Sequence, residues 1–216
     1  SSFKGTYFGV GKQMNDSKVG FGIEYLDDAT EGGVPQGSVV LLSSKDRCCS
    51  DLISLSFLNE GLVAGEIVLF AEFRTTPLQN LLKAASHHTP ITTLIQTDEP
   101  VFLNLEGGGD LELLTDLAET SGVKRLVLSH PEVLRFREGQ LFFPLMESVL
   151  KNLRILGITT LISSDLSEAS PFRYMSDVNL EVENTGNGKL KLNVLQWPCG
   201  GGDELKGLWR DDGWVS

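Results

Sequence analysis

Cysteine, basic residues and long apolar runs are all scarce in this sequence. The three cysteines, Cys48, Cys49 and Cys199, are an odd and low count that fits a reducing cytoplasm without a disulfide framework. Lys and Arg total 18 against 29 Asp and Glu, and the formal net charge of −11 disfavours broad binding to nucleic acid or to an anionic membrane. No apolar run reaches the roughly 18 residues that a membrane span requires. Residues 1–13 lack the apolar core of a signal peptide, and the absence of an initial Met is consistent with a cut or processed start.

The composition that remains is that of an ordinary globular domain. Of the 216 residues, 41% are hydrophobic and 22% are charged, which leaves enough apolar material for a sizeable core. Residues 1–20 contain scattered Gly, Asn, Asp and Ser and are predicted to form an irregular N-terminal segment. Residues 21–216 are predicted to form a single domain.

Short apolar runs alternate with segments whose apolar residues recur every three or four positions. The runs predict buried strands and the periodic segments predict helices. Two runs with period-two alternation flank a turn at 184–188 and predict an antiparallel hairpin. The predicted strands are 38–43, 66–73, 101–105, 124–129 and 158–163, the hairpin strands are 178–183 and 190–196, and the predicted helices are 23–28, 51–64, 77–85, 110–120 and 139–156. This order predicts an α/β fold with a mostly parallel sheet sandwiched by helices and a C-terminal antiparallel hairpin at the sheet edge.

The stretch LLSSKDRCCSDLISLSFL, at 41–58, has the layout of a phosphate-binding loop between a strand and a helix. Ligands of such sheets bind at the carboxyl ends of the strands, so the loop is in the right place. A phosphate loop needs glycines whose N–H groups turn inward, a lysine for the terminal phosphates and a hydroxyl for magnesium. This loop has no glycine and no lysine at its tip. Ser50 or Asp51 is the predicted cap of the following helix.

Several motifs in the chain resemble those of the KaiC-like branch of the RecA superfamily of ATPases. That branch opens with G-I-x-x-L-D, then G-G-(I/V)-P-x-G-S and an apolar strand, which resembles GFGIEYLDDATEGGVPQGSVVLLS at 20–43. The segments LNEGLVAGEIVLFAEF and LGITTLISSDL resemble the family's connections from a helix to the next strand. The segment GLWRDDGWVS resembles its D-D-G ending. The resemblance runs from about Val19 to the C-terminus and implies a RecA-like sheet.

The resemblance also implies which positions should carry the chemistry of ATP hydrolysis. Aligned without gaps, the first glycine of the family's loop falls on Ser44, and later glycines fall on Arg47 and Cys49. The family's lysine falls on Ser50, and its magnesium-binding Thr or Ser falls on Asp51. Asp51 would place a negative charge near a triphosphate, and non-glycine residues would resist left-handed backbone angles.

Two further positions of the family's catalytic machinery are altered. Its paired acidic residues, one of which activates the attacking water, fall on Arg74, Thr75 and Thr76. Its magnesium-holding aspartate (Walker B) falls on Ser129, which His130 follows. Because three separate parts have changed, the resemblance implies an inactivated ATPase. The prediction is no catalytic residue, no bound cofactor and no metal site.

Other polar residues have two interpretations each. Cys48 and Cys49 are small residues entering a helix or a redox or metal pair, although zinc would need further ligands. Lys45 and Arg47 are solvated loop residues or an anion site. His130 is a turn residue before Pro131 or a general base.

The remaining polar pairs and the tail aromatics also keep two interpretations. The polar pairs, which are two neighbouring histidines and two pairs of neighbouring aspartates, are solvated turns or helix ends in one interpretation and metal ligands in the other. The two tryptophans pack on the domain surface or on a neighbouring subunit. The pairs are His87 and His88, Asp27 and Asp28, and Asp211 and Asp212, and the tryptophans are Trp209 and Trp214.

Four functional hypotheses follow from the sequence. The first is a catalytically inactive, cytoplasmic RecA-like subunit with a regulatory, signalling or assembly role, which forms a homo-oligomer or a hetero-oligomer with a RecA-like or signalling protein. The second is a residual nucleotide or anion binder that uses backbone amides at the start of the 51–64 helix. The third is a DNA recombination accessory paralogue, which the acidic charge disfavours. The fourth, a new enzyme on the old fold, has no assignable catalytic set.

Overall fold

The structure is a computed structural model that describes residues 17–74, 102–105, 111–186, 189–197 and 207–210. The predicted helix at 77–85 lies outside these residues, as does most of the predicted irregular segment 1–20. Several residues that the sequence singled out also lie outside them, namely Thr75, Thr76, His87, His88, Cys199, Asp211, Asp212 and Trp214.

Strands and helices alternate through the described chain, as the sequence predicts. The strands are β1 (Lys18–Val19), β2 (Val34–Pro35), β3 (Val39–Ser44), β4 (Val68–Glu72), β5 (Phe102–Asn104), β6 (Arg125–Ser129), β7 (Thr159–Asp165), β8 (Val178–Gly186), β9 (Lys189–Gln196) and β10 (Gly207–Arg210). The helices are α1 (Glu24–Ala29), α2 (Arg47–Val63), α3 (Leu111–Thr120), α4 (Arg135–Glu138), α5 (Phe142–Ile155) and α6 (Ser170–Arg173). Short 3-10 turns span Pro131–Leu134 and Gly139–Leu141.

Eight of the described strands form one sheet in the order β10-β9-β8-β3-β7-β6-β4-β5. Six neighbouring strands of this sheet, β8, β3, β7, β6, β4 and β5, are mutually parallel. Strands β9 and β10 add antiparallel strands at one edge. The sequence predicted both hairpin strands as edge strands, and this is wrong for β9, which pairs with β10 on its other side, and for β8. Because β8 pairs in parallel with β3 on its other side, it lies inside the sheet, and β10, which contains Trp209, occupies the edge.

The two faces of the sheet are buried against different helices, which explains why the central positions of its parallel strands are apolar on both faces. Alternate residues of each strand point to opposite faces. Val40, Leu42 and Phe70 join one buried cluster with Ile53 and Phe57 of α2. The other cluster combines the remaining strand positions with α3 and with the apolar stripe of α5, namely Phe142, Met146, Val149, Leu150 and Leu153. This stripe is therefore part of the core.

Helix α2 begins four residues earlier than the sequence predicts. Its cap is Asp46, whose Oδ1 accepts a hydrogen bond from the Cys48 N–H at 2.9 Å. Ser50 and Asp51, the predicted caps, lie inside the helix and are buried. The side chain of Asp46 therefore sets the helix start.

A buried arginine joins β6 to α2 and to the chain before α1. The Arg125 guanidinium donates to Glu66 Oε2 at 2.6 Å, to the Gly20 carbonyl at 2.6 Å and to the Phe57 carbonyl at 2.9 Å.

Gly33, before β2, has a φ of +109°, and a Cβ there would lie 2.0 Å from the Val19 carbonyl oxygen. Only glycine fits at that close backbone approach.

Within the described segments, no helix combines the length and the apolar character that a bilayer crossing needs.

Candidate functional site

The carboxyl ends of four neighbouring parallel strands carry polar residues at one edge of the sheet. The register pairs Ser44 of β3 with Asp165 of β7, and Glu72 of β4 with Ser129 of β6. Ser129 in turn pairs with Ser163 of β7. This edge is where ligands bind in open α/β sheets, so it is the candidate site.

The connection from β3 to α2 is only two residues long, Lys45 and Asp46. Ser44 Oγ accepts from the Asp46 N–H at 3.0 Å and donates to the Asp46 carbonyl at 2.9 Å. Because Asp46 also caps Cys48, the side chains of the loop occupy backbone groups that a phosphate loop would present to its ligand. Asp46 Oδ2 accepts a further bond from Asn184 Nδ2 of β8 at 3.3 Å.

The other predicted phosphate-loop positions lie in the first turns of α2. Arg47 is the first residue of the helix, Cys49 and Ser50 are buried, and Ser50 Oγ donates back to the Arg47 carbonyl at 3.0 Å. Cys48 is exposed, whereas Cys49 faces the core. Arg47 lies in the helix and not in the loop, and its side chain is half-buried, with Nε and Nη2 inaccessible to solvent.

Asp51 is a buried carboxylate at the position that the resemblance assigns to a magnesium ligand. Its Oδ2 lies 3.6 Å from Arg47 Nε, and its Oδ1 is buried without a hydrogen bond. Burial raises the pKa of Asp51 to about 6, and the negative charge of Glu72 adds to the rise. Above that pH Asp51 carries a negative charge where a phosphate loop has a neutral hydroxyl.

Ser129, at the Walker B position, is held by a buried glutamate of the neighbouring strand. Its Oγ donates to Glu72 Oε2 at 2.9 Å. Glu72 Oε1 accepts from the Arg74 backbone N–H at 3.0 Å and lies 3.4 Å from Arg74 Nε. Arg74, at one of the predicted acidic positions, is thus a partner of Glu72, and its Nη2 is buried without a hydrogen bond.

His130 is a buried residue in the left-handed conformation, with a φ of 54°, directly after β6. Its Nδ1 lies 3.2 Å from Ser129 Oγ and 3.5 Å from Ser163 Oγ, and its Nε2 lies 3.5 Å from Asp165 Oδ1. Burial lowers the pKa of His130 to about 3, and the charges of Arg74 and Arg47 lower it further. The imidazole is therefore neutral at physiological pH.

Glu132 completes the polar cluster from the 3-10 turn after β6. Its Oε1 accepts from the Asp165 backbone N–H at 3.1 Å, whereas its Oε2 is buried without a hydrogen bond. Burial raises the pKa of Glu132 to about 7. The site thus combines two acids with raised pKa values, a neutral histidine and two arginines, which is unusual for a merely structural cluster.

The sequence interpretation missed Glu72, Glu132 and Asp165. A signal for Glu72 was present, because an acid at the carboxyl end of an otherwise apolar strand is either paired or functional. Asp165 ends β7 in the same way. Glu132 had no local signal, because only the fold brings it to Asp165.

Comparisons with known proteins agree with the fold. No protein-family model matches the chain. The chain is 24% identical over 208 residues to the circadian clock oscillator protein KaiC of Parasynechococcus marenigrum (strain WH8102), covering 85% of this chain and 40% of that protein. It is 22% identical over 208 residues to KaiC of Prochlorococcus marinus (strain MIT 9313), covering 87% of this chain and 40% of that protein. The chain spans about two fifths of these relatives, and the similarity supports a distant KaiC and RecA-like relationship.

Proposed function

We propose that this chain is a cytoplasmic, single-domain RecA/KaiC-like protein that does not hydrolyse ATP and acts as a regulatory, signalling or assembly subunit. The observation that carries the proposal is the two-residue connection between Ser44 and Arg47. A loop of that length has no room for a run of inward-facing amides around a triphosphate. The cap formed by Asp46 removes a further donor from this edge.

The charges at the site support the same proposal. Ser50 stands at the position that the resemblance assigns to the phosphate-binding lysine, and Asp51 is ionised above about pH 6. The hydroxyl of Ser129 is held by Glu72 and supplies no carboxylate for magnesium. A Mg·ATP complex would therefore lack both its phosphate-facing cation and its metal ligands.

The direct test is phosphate release from Mg·ATP, measured on wild type and on Asp51→Asn. We expect release from both proteins to equal the protein-free blank. Release above the blank that is equal in both proteins would indicate a contaminating ATPase. Magnesium-dependent release by wild type that changes in the variant would overturn the proposal.

The assembly role is tested by the mass of the particle in solution. The resemblance implies side-by-side packing of RecA-like domains, which a subunit can keep after losing turnover. Light scattering over a concentration series should show self-association, or a complex with a RecA-like partner, that is the same with and without Mg·ATP. A mass that changes with nucleotide would identify a ligand-gated assembly instead.

A second function, anion binding without hydrolysis, is favoured by one specific observation. Arg47 Nε and Nη2 and Arg74 Nη2 are buried without hydrogen bonds. Arg47 and Arg74 are ion-paired to Asp51 and Glu72, but their donors without a hydrogen bond suit a phosphate or carboxylate. Calorimetry with inorganic phosphate, ATP and ADP should give heat that Arg74→Met abolishes and that Arg137→Met, a change at a more exposed arginine of α4, leaves intact. The absence of heat at millimolar ligand would exclude this function.

A further inference from the structure

Three side chains from two segments converge beside the phosphate-loop position. His130, Glu132 and Asp165 each offer one ligand atom, and these atoms all lie within 4.8 Å of one another. Two atoms that bind one ion at 2.0–2.2 Å in tetrahedral geometry lie roughly 3.4 Å apart, so side-chain shifts of about 1 Å would let all three bind the same ion. The spacing is close to that of a metal site.

A buried oxygen in the cluster is left without a partner. Glu132 is only 6% exposed, and its Oε2 has no hydrogen bond, whereas Oε1 already accepts from the Asp165 N–H. Buried polar atoms are nearly always paired, because desolvating them without a partner is costly. A cation would satisfy this oxygen directly.

The histidine presents a bare nitrogen to the same point. We assign the His130 proton to Nδ1, because the Ser129 hydroxyl donates to Glu72 Oε2 and is then an acceptor for the ring nitrogen 3.2 Å away. His130 Nε2 is then unprotonated and faces Asp165 Oδ1 at 3.5 Å. A lone pair and a carboxylate oxygen at that distance repel each other unless a positive charge lies between them. Fixing Nδ1 with a hydrogen bond is also how proteins orient a metal-binding histidine.

The cluster has access to solvent and a balanced surrounding charge. A groove of about 930 Å³ is lined by Glu132 and Asp165 and by residues of α4 and α5, and the Asp165 side chain is 52% exposed. The charges that act on His130 are those of Arg74 and Arg47, which are ion-paired with Glu72 and Asp51 respectively. The groove gives an ion both an entry path and open coordination positions.

We propose that His130, Glu132 and Asp165 bind one divalent transition-metal ion, with its remaining coordination positions open to the groove. An imidazole with two carboxylates favours ions such as Zn²⁺ over Mg²⁺ or Ca²⁺, which prefer oxygen ligands only. The sequence assigned no metal ligand, and none of these residues belongs to the phosphate-loop positions. The metal site is therefore independent of the proposed function.

The test is calorimetric titration of the chelator-treated, untagged full chain with Zn²⁺ in the absence of nucleotide. We expect one equivalent to bind, and we expect Glu132→Gln and His130→Asn each to weaken binding at least about tenfold. Asparagine tolerates the left-handed backbone of His130. Should His130→Asn fail to fold, Glu132→Gln carries the test, because it keeps the oxygen that accepts from Asp165.

Two controls separate this site from other zinc ligands. Cys48→Ser should bind Zn²⁺ as wild type does, and bound Co²⁺ should show no thiolate charge-transfer band. The proposal is overturned if wild type binds no Zn²⁺, or if binding survives the changes at Glu132 and His130. Binding lost only in Cys48→Ser would also overturn it. The two proposals can fail separately. A lack of Zn²⁺ binding would not bear on whether the protein hydrolyses ATP, and ATP hydrolysis in the phosphate assay would not bear on whether it binds Zn²⁺.

Discussion

The replacement Glu132→Gln should change how the stability of this protein depends on pH. Glutamine keeps the size of the side chain and the oxygen that accepts from the Asp165 N–H. It removes the negative charge that burial disfavours. In metal-free protein, the variant should therefore be more stable than wild type at neutral and alkaline pH.

The size of the effect follows from the pKa of Glu132, which burial raises from 4.5 to about 7. Between these values the folded protein holds a proton that the unfolded chain has released, so the stability of wild type falls as pH rises. The difference of about 2.5 pKa units corresponds to roughly 3 kcal/mol at 1.36 kcal/mol per unit. The cost is absent below pH 4.5 and complete above about pH 7.

Other buried groups titrate in the same range, so the measured quantity is the difference between variant and wild type. Asp51, with its pKa raised to about 6, also lowers stability as pH rises. His130, with its pKa lowered to about 3, acts in the opposite direction below its unfolded value of 6.5. Both contributions cancel to first order when the two proteins are compared at each pH.

The assay is urea unfolding at half-unit steps from pH 4.5 to 8.5, with a chelator present throughout. The free energy of unfolding of Glu132→Gln minus that of wild type should rise by about 3 kcal/mol across this range and then level off. Glu147→Gln, at an exposed position on α5, should show no such rise. A flat difference for Glu132→Gln would refute the conclusion that this carboxyl is buried without a compensating donor.

Three further replacements test the contacts that hold the site and the fold. Asp46→Ala should lower the free energy of unfolding by about 1 kcal/mol through loss of the helix cap, whereas Asp46→Asn should retain most of it; equal losses would contradict the cap. Arg125→Met should cost about 3 kcal/mol because it strands Glu66 and two buried carbonyls, and a cost near zero in urea unfolding would show that apolar packing suffices. Gly33→Ala should cost at least about 2 kcal/mol, since its Cβ would meet the Val19 carbonyl, and an unchanged melting temperature would argue against that close approach.

The strands and helices were largely predictable because their signals are local. A parallel strand buried on both faces needs adjacent apolar residues at its centre, so β3, β4, β6 and β7 stand out in the sequence as short runs rich in Val, Leu and Ile. The stripe of α5 follows from its spacing alone. The start of α2 was misplaced because Ser50, Asp51 and Asp46 are all good caps, and the choice among them depends on where β3 delivers the chain.

The position of β8 shows the limit of a local pattern. Alternation with period two identified both strands of the hairpin correctly as antiparallel partners. It could not show that β8 also pairs with β3 on its other side, because that pairing joins residues more than 130 positions apart. Sheet order is a long-range property, and no single segment encodes it.

At the site, the sequence by itself determined which residue types stand at the phosphate-loop positions. Ser50 replaces the lysine, and Asp51 replaces the magnesium-binding hydroxyl residue. Only the tertiary structure decided that His130 and Glu132 meet Asp165, which lies 33 residues beyond Glu132 in the chain. The physical reason is the parallel register of β6 and β7, which brings the ends of both strands to one edge of the sheet. Burial at that edge then sets the proton affinities, and burial depends on the whole fold.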